Sequence, residues 1–425
     1  MSKQFQKPRG TEDILPDMQP YWTMINESIQ KVTALFGYSR IDTPVFENAA
    51  LFEKGTGDAT DIVEKEMYTF ADRGGDMLAL TPEATPALCR SYLENGMGSQ
   101  PQPIRLYTTA HMFRYDRPQQ GRLRQFTQFD CEVIGSADPY VDAELIELLW
   151  RLYEHLELKD IELRLSSIDD LTSRKKYIAD LTNYYQPLSE LLSEDSQRRL
   201  QSNPLRLLDS KDERDIPFKE KAPKLINRLS KESEQHFTTV KEALTAAKIP
   251  FTIDPLLVRG LDYYNRTVFE FVPKGDERAQ STIGGGGRYD ELIKILGGSP
   301  TPAVGFAAGF ERIILEMKRQ KKTPRPLDSV NIYIAHLGSK AGKESIRLAA
   351  KLRKNNIACS IGESTRSLKA QLRRANTSGA KIAIIIGEEE ITRGTAVIKS
   401  MQTDQPQIET PVDEVITEIV KMLNQ

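Results

Sequence analysis

Cysteine is too scarce to hold this chain together. Cys89, Cys131 and Cys359 are odd in number, far apart and outside any C-x-x-C pair, so neither a disulfide framework nor a thiolate zinc site is legible. The four histidines, His111, His155, His236 and His336, are too dispersed for an H-E-x-x-H metal helix. No apolar run approaches the roughly 20 residues that a membrane span needs. The N-terminal stretch MSKQFQKPRGTEDILP lacks the apolar core of a signal peptide, which makes the cytosol the expected compartment. Neither sign of charge dominates, with 58 Lys and Arg against 60 Asp and Glu. That balance excludes a generally basic nucleic-acid coat but leaves local patches open.

What is present exceeds one hydrophobic core, because 425 residues predict two or three domains. Trp22, Ile25, Ile29, Val32 and Phe36 make one apolar stripe, predicting a helix that starts after Pro16 and Asp17 and ends at Gly37. A strand through TPVFE, a helix in ATPALCRSYLEN and a strand IRLYT follow. Residues 170–248 turn helical and highly charged, which marks an insertion. Strand pattern resumes in TVFEFV, passes around a GGGG loop and gives way to helices near Arg288 and Gly309. Antiparallel strands dominate this part. The charge run and prolines of KRQKKTPRPLD, residues 318–328, mark a linker. Beyond it VNIYIAH, IRLAAKLRK, IACSI, LKAQLRRA and KIAIIIG alternate as β-α-β-α-β, which predicts a small parallel-sheet domain. No internal repeat or low-complexity tract is visible.

Four constellations carry chemistry. In FRYDRPQQGRLRQFTQFDCEVIG, residues 113–135, the opening strand is expected to place Arg114 and Asp116 on one face. The turn adds Arg117, Arg122 and Arg124 with Gly121 at the bend. The returning strand aims Gln128, Asp130 and Glu132 to one side and Phe129, Cys131 and Val133 to the other. Arginine forks suit phosphate oxygens, although charges on a hairpin also serve merely to keep an edge strand soluble. In LVRGLDYYNRTVFE, residues 257–270, Arg259 sits among apolar neighbours ahead of Asp262, Tyr263 and Tyr264; an Arg259–Asp262 pair over packed tyrosines is the plain structural alternative. GGGGRYDELIKIL, residues 284–296, permits close backbone approach and offers free N–H groups from its helix, yet it matches no named nucleotide loop. In GFAAGFERIIL, Arg312 enters the first helical turns, where a cation opposes the helix dipole and suggests an anionic partner. Residues 340–381 add eleven Lys or Arg against two acids, a surplus of nine that suits nucleic acid or a solvated face.

Taken in order, these segments resemble the class II aminoacyl-tRNA synthetases, and among them the bacterial-type histidyl-tRNA synthetase family, over nearly the whole chain. GYSRIDTPVF, with Gly37 and Pro44, is similar to the first class motif, FRYDRP through RQFTQFDCE to the second and GFAAGFERI to the third. LVRGLDYYNRTVFE and GGGGRYDEL resemble the two histidine-specific segments, and SQRRLQSNPLRLLDSK the family's helical insertion. The resemblance implies an α+β fold: an antiparallel-sheet catalytic domain over residues 1–325 with a helical insertion at about 170–248, then an α/β anticodon-binding domain over 326–425. It also implies a homodimer.

By the same resemblance the chain activates L-histidine with ATP and Mg²⁺ and transfers it to the 3' end of tRNA(His). Histidine would meet Glu83, Thr85, Gln128, Glu132, Arg259, Tyr263 and Tyr264. ATP would meet Arg114, Asp116, Arg122, Phe126 and Arg312, with Arg114 and Arg259 catalytic at the α-phosphate. Gln119 and Arg124 would approach the tRNA acceptor end, and no side-chain metal ligand is assignable. Reading an imidazole nitrogen through buried hydrogen bonds discriminates by roughly 10⁴-fold or more, so no editing site is required. Several positions depart from the family pattern. Thr81, Ala84 and Pro86 alter the substrate loop, Leu123 stands for a frequent Tyr, Ala307 for a glycine and Asp116 for a commoner Glu. The rivals are a non-catalytic histidine-binding regulatory subunit of ATP phosphoribosyltransferase, which typically lacks the C-terminal domain and the histidine-specific arginine segment, and a nucleic-acid-binding module without catalysis.

Overall fold

The computed structural model describes residues 4–57, 60–275, 282–325, 330–403 and 405–423. Two compact units separate, Met1–Pro324 and Arg325–Gln425. The first opens with α1 (Gln19–Leu35), which buries Ile25, Ile29 and Val32 and stacks Trp22 on Phe310 at 5.1 Å. Gly37, at φ +72°, turns the chain out of it, a conformation that costs glycine nothing. Strands β1 (Ser39–Arg40) and β2 (Phe46–Asn48) follow. The expected TPVFE strand pairs only from Phe46 onward, because Pro44 has no N–H to give a ladder. Asn48 caps α2 (Ala49–Thr56), and β3 (Thr69–Ala71) and β4 (Met77–Leu80) complete a three-stranded sheet in the order β2-β4-β3.

Next come α3 (Thr85–Glu94) and the hairpin of β5 (Ile104–Phe113) and β6 (Gln125–Ile134), in register from Ile104 opposite Ile134 to Phe113 opposite Gln125. Then follow α4 (Pro139–His155), β7 (Ile161–Ser167), α5 (Leu171–Tyr185), α6 (Glu194–Ser202), α7 (Ile216–Lys221) and α8 (Lys231–Ala246). The unit closes with β8 (Phe251–Ile253), β9 (Asn265–Pro273), β10 (Gly284–Arg288), α9 (Leu292–Ile295), β11 (Ala303–Gly309) and α10 (Phe310–Arg319). Eight strands form one sheet in the order β1-β5-β6-β11-β10-β9-β7-β8, antiparallel except at its two edges. Phe129, Cys131 and Val133 point into the main core with Phe269, Phe271 and Phe306, under apolar faces of α1, α4, α8 and α10. The opposite face of β6 is therefore the polar one.

Three expectations change. GGGG is not a loop but the central strand β10, flanked by β9 and β11. A Cβ on Gly286 would run into the Gly305 carbonyl, and one on Gly285 would lie 2.7 Å from the Phe269 carbonyl oxygen, so only glycine lets these strands close up. The helix after it starts at Leu292 and spans four residues, too short to act as an anion site. Within the expected insertion, α8 belongs to the main core through Phe237, Val240 and Leu244, and His236 Nε2 meets Asp142 Oδ2 at 2.8 Å. Asp142 also takes Arg288, whose side chain is fully buried. Lys318 and Arg319, expected in the linker, form the last turn of α10, while residues 326–328 of that stretch lie outside the described residues.

The second unit holds β12 (Ile332–His336), α11 (Ser339–Lys354), β13 (Cys359–Ile361), α12 (Leu368–Thr377) and β14 (Ile382–Ile386), whose three strands pair in parallel. It continues with α13 (Glu388–Arg393), an antiparallel pair of β15 (Thr395–Ser400) and β16 (Ile408–Pro411), and α14 (Val415–Leu423). Ile332, Ile334, Leu348, Ile384, Val415 and Ile419 form its core. Among the described residues no helix is long and apolar enough to cross a membrane.

Candidate active site

A cleft of about 690 Å³ opens on the polar face of β6. Gln128 and Asp130 line it, as alternation requires, but Glu132 does not. Glu132 is fully buried, accepts from Thr85 Oγ1 at 2.7 Å and is bonded by the Tyr289 hydroxyl. It thus lies one side chain behind the wall, contrary to the sequence expectation, because Thr85 and Tyr289 arrive from distant segments. Glu83 completes this end, receiving the Tyr263 hydroxyl at 3.0 Å. Tyr263 and Tyr264 pack with ring centroids 4.7 Å apart.

Ionisation at this end is governed by burial. It pushes Glu83 up to about 7, against the pull of Arg114. Burial also raises Asp130 and Glu132 well above the carboxylate range, and neighbouring acids add to the effect. Glu83 Oε1, Gln128 Oε1 and Asp130 Oδ2 are buried acceptors that no described donor reaches. An unpaired buried acceptor is costly, so three on one wall call for a ligand that brings N–H groups and positive charge.

The other end is cationic. The chain leaves β5 at Phe113, so Arg114 and Asp116 sit in the connecting loop and not on the strand, as expected from alternation alone. Gly121 makes the bend at φ +74°, beside the paired backbones of Gln119 and Arg122. Arg114 Nε donates to the Pro82 carbonyl at 2.8 Å, and its guanidinium lies 5.4 Å from the Phe126 ring centroid. Arg122 pairs with Asp116 and with Glu66, the latter at 3.3 Å. Arg312 donates to the carbonyls of Gly121 and Thr282. Its pKa falls to about 10, first through burial and then through repulsion from Arg114 and Arg122. Mutual repulsion of this kind is relieved by a polyanion.

Arg259 stands between the two ends. It pairs with Glu270 of β9 and not with Asp262, which disposes of the local pairing considered from the sequence. Burial opposes its charge, but Glu270 more than compensates and holds its pKa up. Asp262 instead accepts from Asn203 Nδ2 at 2.7 Å. One cavity therefore gathers Glu83, Thr85, Gln128, Arg259, Tyr263 and Tyr264 with Arg114, Asp116, Arg122, Phe126 and Arg312. Gln119 and Arg124 lie outside its lining; Arg124 stacks 3.8 Å over the Tyr115 ring.

Residues 10–313 match the model of the histidyl-tRNA synthetase family, and residues 331–422 that of an anticodon binding domain. The chain belongs to the histidyl-tRNA synthetase family. A histidine–tRNA ligase of Dehalococcoides mccartyi is 50% identical over 419 residues, covering 99% of this chain and 100% of that protein. One from Desulfitobacterium hafniense is 41% identical over 96% of each chain. The crystal structure of apo histidyl-tRNA synthetase from S. aureus superposes with a TM-score of 0.81 at 33% identity, covering 98% of this chain and 99% of that one.

Within this family fold, sequence reasoning missed four groups at or behind the cleft. Asp130 was visible on the polar face but carried no role, and Glu270 was the one acid in the apolar run TVFEFV. Tyr289 and the insertion residues Arg199, Arg206 and Asp209 gave no signal. Arg199, Arg206 and Asp209 nevertheless line the cleft, and Arg206 pairs with Asp61 at 2.5 Å.

Proposed function

We propose that the acceptor-lined end of the cleft binds L-histidine and the arginine end binds ATP. The chain is a histidine–tRNA ligase: the histidine carboxylate attacks the α-phosphorus of ATP, pyrophosphate leaves, and the histidyl-adenylate passes its acyl group to the terminal ribose hydroxyl of tRNA with release of AMP. The carboxylate is already ionised at neutral pH, so no general base is needed and the barrier lies in charge repulsion and alignment. Arg114 and Arg259 neutralise the α-phosphate, Arg122 and Arg312 the outer phosphates, and Asp116 and Phe126 meet the adenine. Glu83, Thr85 and Gln128 take the ammonium group, with Tyr263 and Tyr264 beside the ring. Glu132 already accepts from the hydroxyls of Thr85 and Tyr289, so an imidazole N–H would join or displace one of them there. The observation carrying this reading is that unpaired buried acceptors and mutually repelling arginines face one cavity.

Among the described residues no group of three or more His, Cys, Asp or Glu could hold a metal, so Mg²⁺ is assigned no protein ligands. It would arrive on ATP's phosphate oxygens and supply charge neutralisation there. Gln119 and Arg124, outside the cleft on the hairpin loop, are assigned to the tRNA acceptor end, and the basic surplus of residues 340–381 to tRNA contact, with the strong salt dependence that follows. The domain assignment is catalytic for 1–325 and anticodon-binding for 326–425. A homodimer is supported by an uncovered apolar sheet face, where Phe46 and Phe70 are 48% and 42% exposed beside Leu78 and Leu80. The expected compartment is the cytoplasm. The regulatory-subunit alternative is disfavoured by the retained Arg259 and by the match of residues 331–422 to an anticodon binding domain. The test is histidine-dependent exchange of pyrophosphate into ATP followed by charging of tRNA(His); absence of exchange from a folded, saturated protein overturns the reading.

A further inference from the structure

The histidine-specific segment does not hold itself in place. Between β8 and β9 the chain from Leu257 to Tyr264 is irregular, and two of its backbone carbonyls find their donor in the insertion. Arg174 Nη1, on α5, donates to the Asp262 oxygen at 2.9 Å and to the Tyr264 oxygen at 2.8 Å. Its Nη2 lies 3.9 Å from Asp262 Oδ1, and the side chain is only 10% exposed. Asn203 adds its amide to the same Asp262 carboxylate. The packing agrees, because Tyr177, Leu181 and Leu205 of the insertion share one apolar cluster with Tyr263 and Tyr264. Arg174 thus grips the backbone on both sides of Tyr263, whose hydroxyl orients Glu83, and directly at Tyr264, whose ring lines the cleft.

We propose that Arg174 is a positioning residue for amino-acid recognition, through which the helical insertion sets the tyrosine wall of the histidine pocket. The proposal rests on the reading that Tyr263 and Tyr264 bound that pocket. A displacement of about 1 Å at such a wall is enough to cost up to roughly 10²-fold in productive binding. Of the arginines assigned to ATP, Arg114 and Arg312 are held by the carbonyls of Pro82, Gly121 and Thr282, Arg122 by Asp116 and Glu66, and Arg259, though it belongs to the same segment, by Glu270 of β9, so the effect falls mainly on histidine. A buried staple with no bearing on the pocket would instead lower stability and leave the ratio of the two KM values alone.

The test is pyrophosphate exchange without tRNA, reading KM for histidine and for ATP separately. Arg174→Met is expected to raise KM for histidine by about tenfold or more while KM for ATP stays within about twofold. Arg174→Lys, which keeps a charge and donors but loses the fork, should recover part of it. An unchanged histidine KM, or equal rises in both, overturns the proposal. Should Arg174→Met fail to fold, Asn203→Ala carries the test: a selective rise in histidine KM supports the proposal and no rise overturns it. Tyr264→Leu separates the two levels. If it too leaves histidine KM unchanged, the pocket reading falls with the proposal; if it raises KM and Arg174→Met does not, only the proposal falls.

Discussion

Replacing Arg259 by methionine removes a cation that lines the cleft beside Tyr264 while keeping most of the side-chain volume. Arg259 is 19% exposed and its partner Glu270 is 20% exposed, so the local medium is intermediate between water and a dry interior. At an effective dielectric of about 20, a guanidinium 4 Å from a phosphate oxygen is worth about 4 kcal/mol. The α-phosphate of bound ATP is already charged, so part of that attraction is spent in the ground state and appears in KM. What grows in the transition state resembles the loss of a single oxyanion donor, about 10²–10³ in kcat. Arg259→Met should therefore lower kcat for histidine-dependent exchange by about 10²-fold or more, with a smaller rise in KM for ATP. Among the described residues the substitution leaves Glu270 the Thr282 hydroxyl at 3.0 Å as its remaining side-chain hydrogen-bond donor. A second variant, Arg259→Met with Glu270→Gln, removes that orphaned charge: it should regain stability in a thermal melt and remain inactive. Near-normal exchange by folded Arg259→Met would refute the assignment of Arg259 to the reacting phosphate.

Three other expectations follow from single side chains. Burial raises Glu83 to about 7 from 4.5, so between those pH values the empty fold holds a proton that the unfolded chain has released. The resulting stabilisation is complete below about 4.5 and is lost as pH rises through 7, on the order of 3 kcal/mol in all. Histidine's ammonium offsets that loss, so the melting-temperature gain on adding histidine should be larger at pH 8 than at pH 6, and Glu83→Gln should flatten the dependence; an identical slope in the variant would remove Glu83 from the ammonium site. Arg288, with no exposed side-chain surface, binds Asp142 at 2.5 Å and Asp290 at 2.9 Å. Arg288→Met strands a buried carboxylate and should cost about 3–5 kcal/mol in denaturant titration; a loss below about 1 kcal/mol would show that His236 alone satisfies Asp142. Phe46→Asp should convert a dimer to a monomer in light scattering, and a dimer that persists would move the contact away from this sheet face.

What the sequence disclosed depended on whether a side chain's meaning was local. The α1 stripe and the two faces of β6 follow from spacing along the chain, and both stand in the structure. The order of the motifs was legible for the same reason, since each lies in one short stretch. Glycines 284–287 hid a central strand because four residues without side chains carry no periodicity, and only the neighbouring backbones show why none is larger. Depth was hidden too. Alternation put Glu132 on the correct face of β6, but its oxygens are taken by Thr85, which lines the cleft, and by Tyr289, 157 residues away. Charge partners misled in the same way: Asp262 is three residues from Arg259, yet the sheet brings Glu270 to it and gives Asp262 to the insertion. A buried arginine is satisfied by whichever carboxylate shares its low-dielectric surroundings, which the fold and not chain proximity decides. The insertion's part in the site was for that reason the least legible feature of all. Arg174 lies 90 residues from the Tyr264 carbonyl it holds, in a charged helical stretch where nothing in the local pattern distinguishes it from its solvated neighbours.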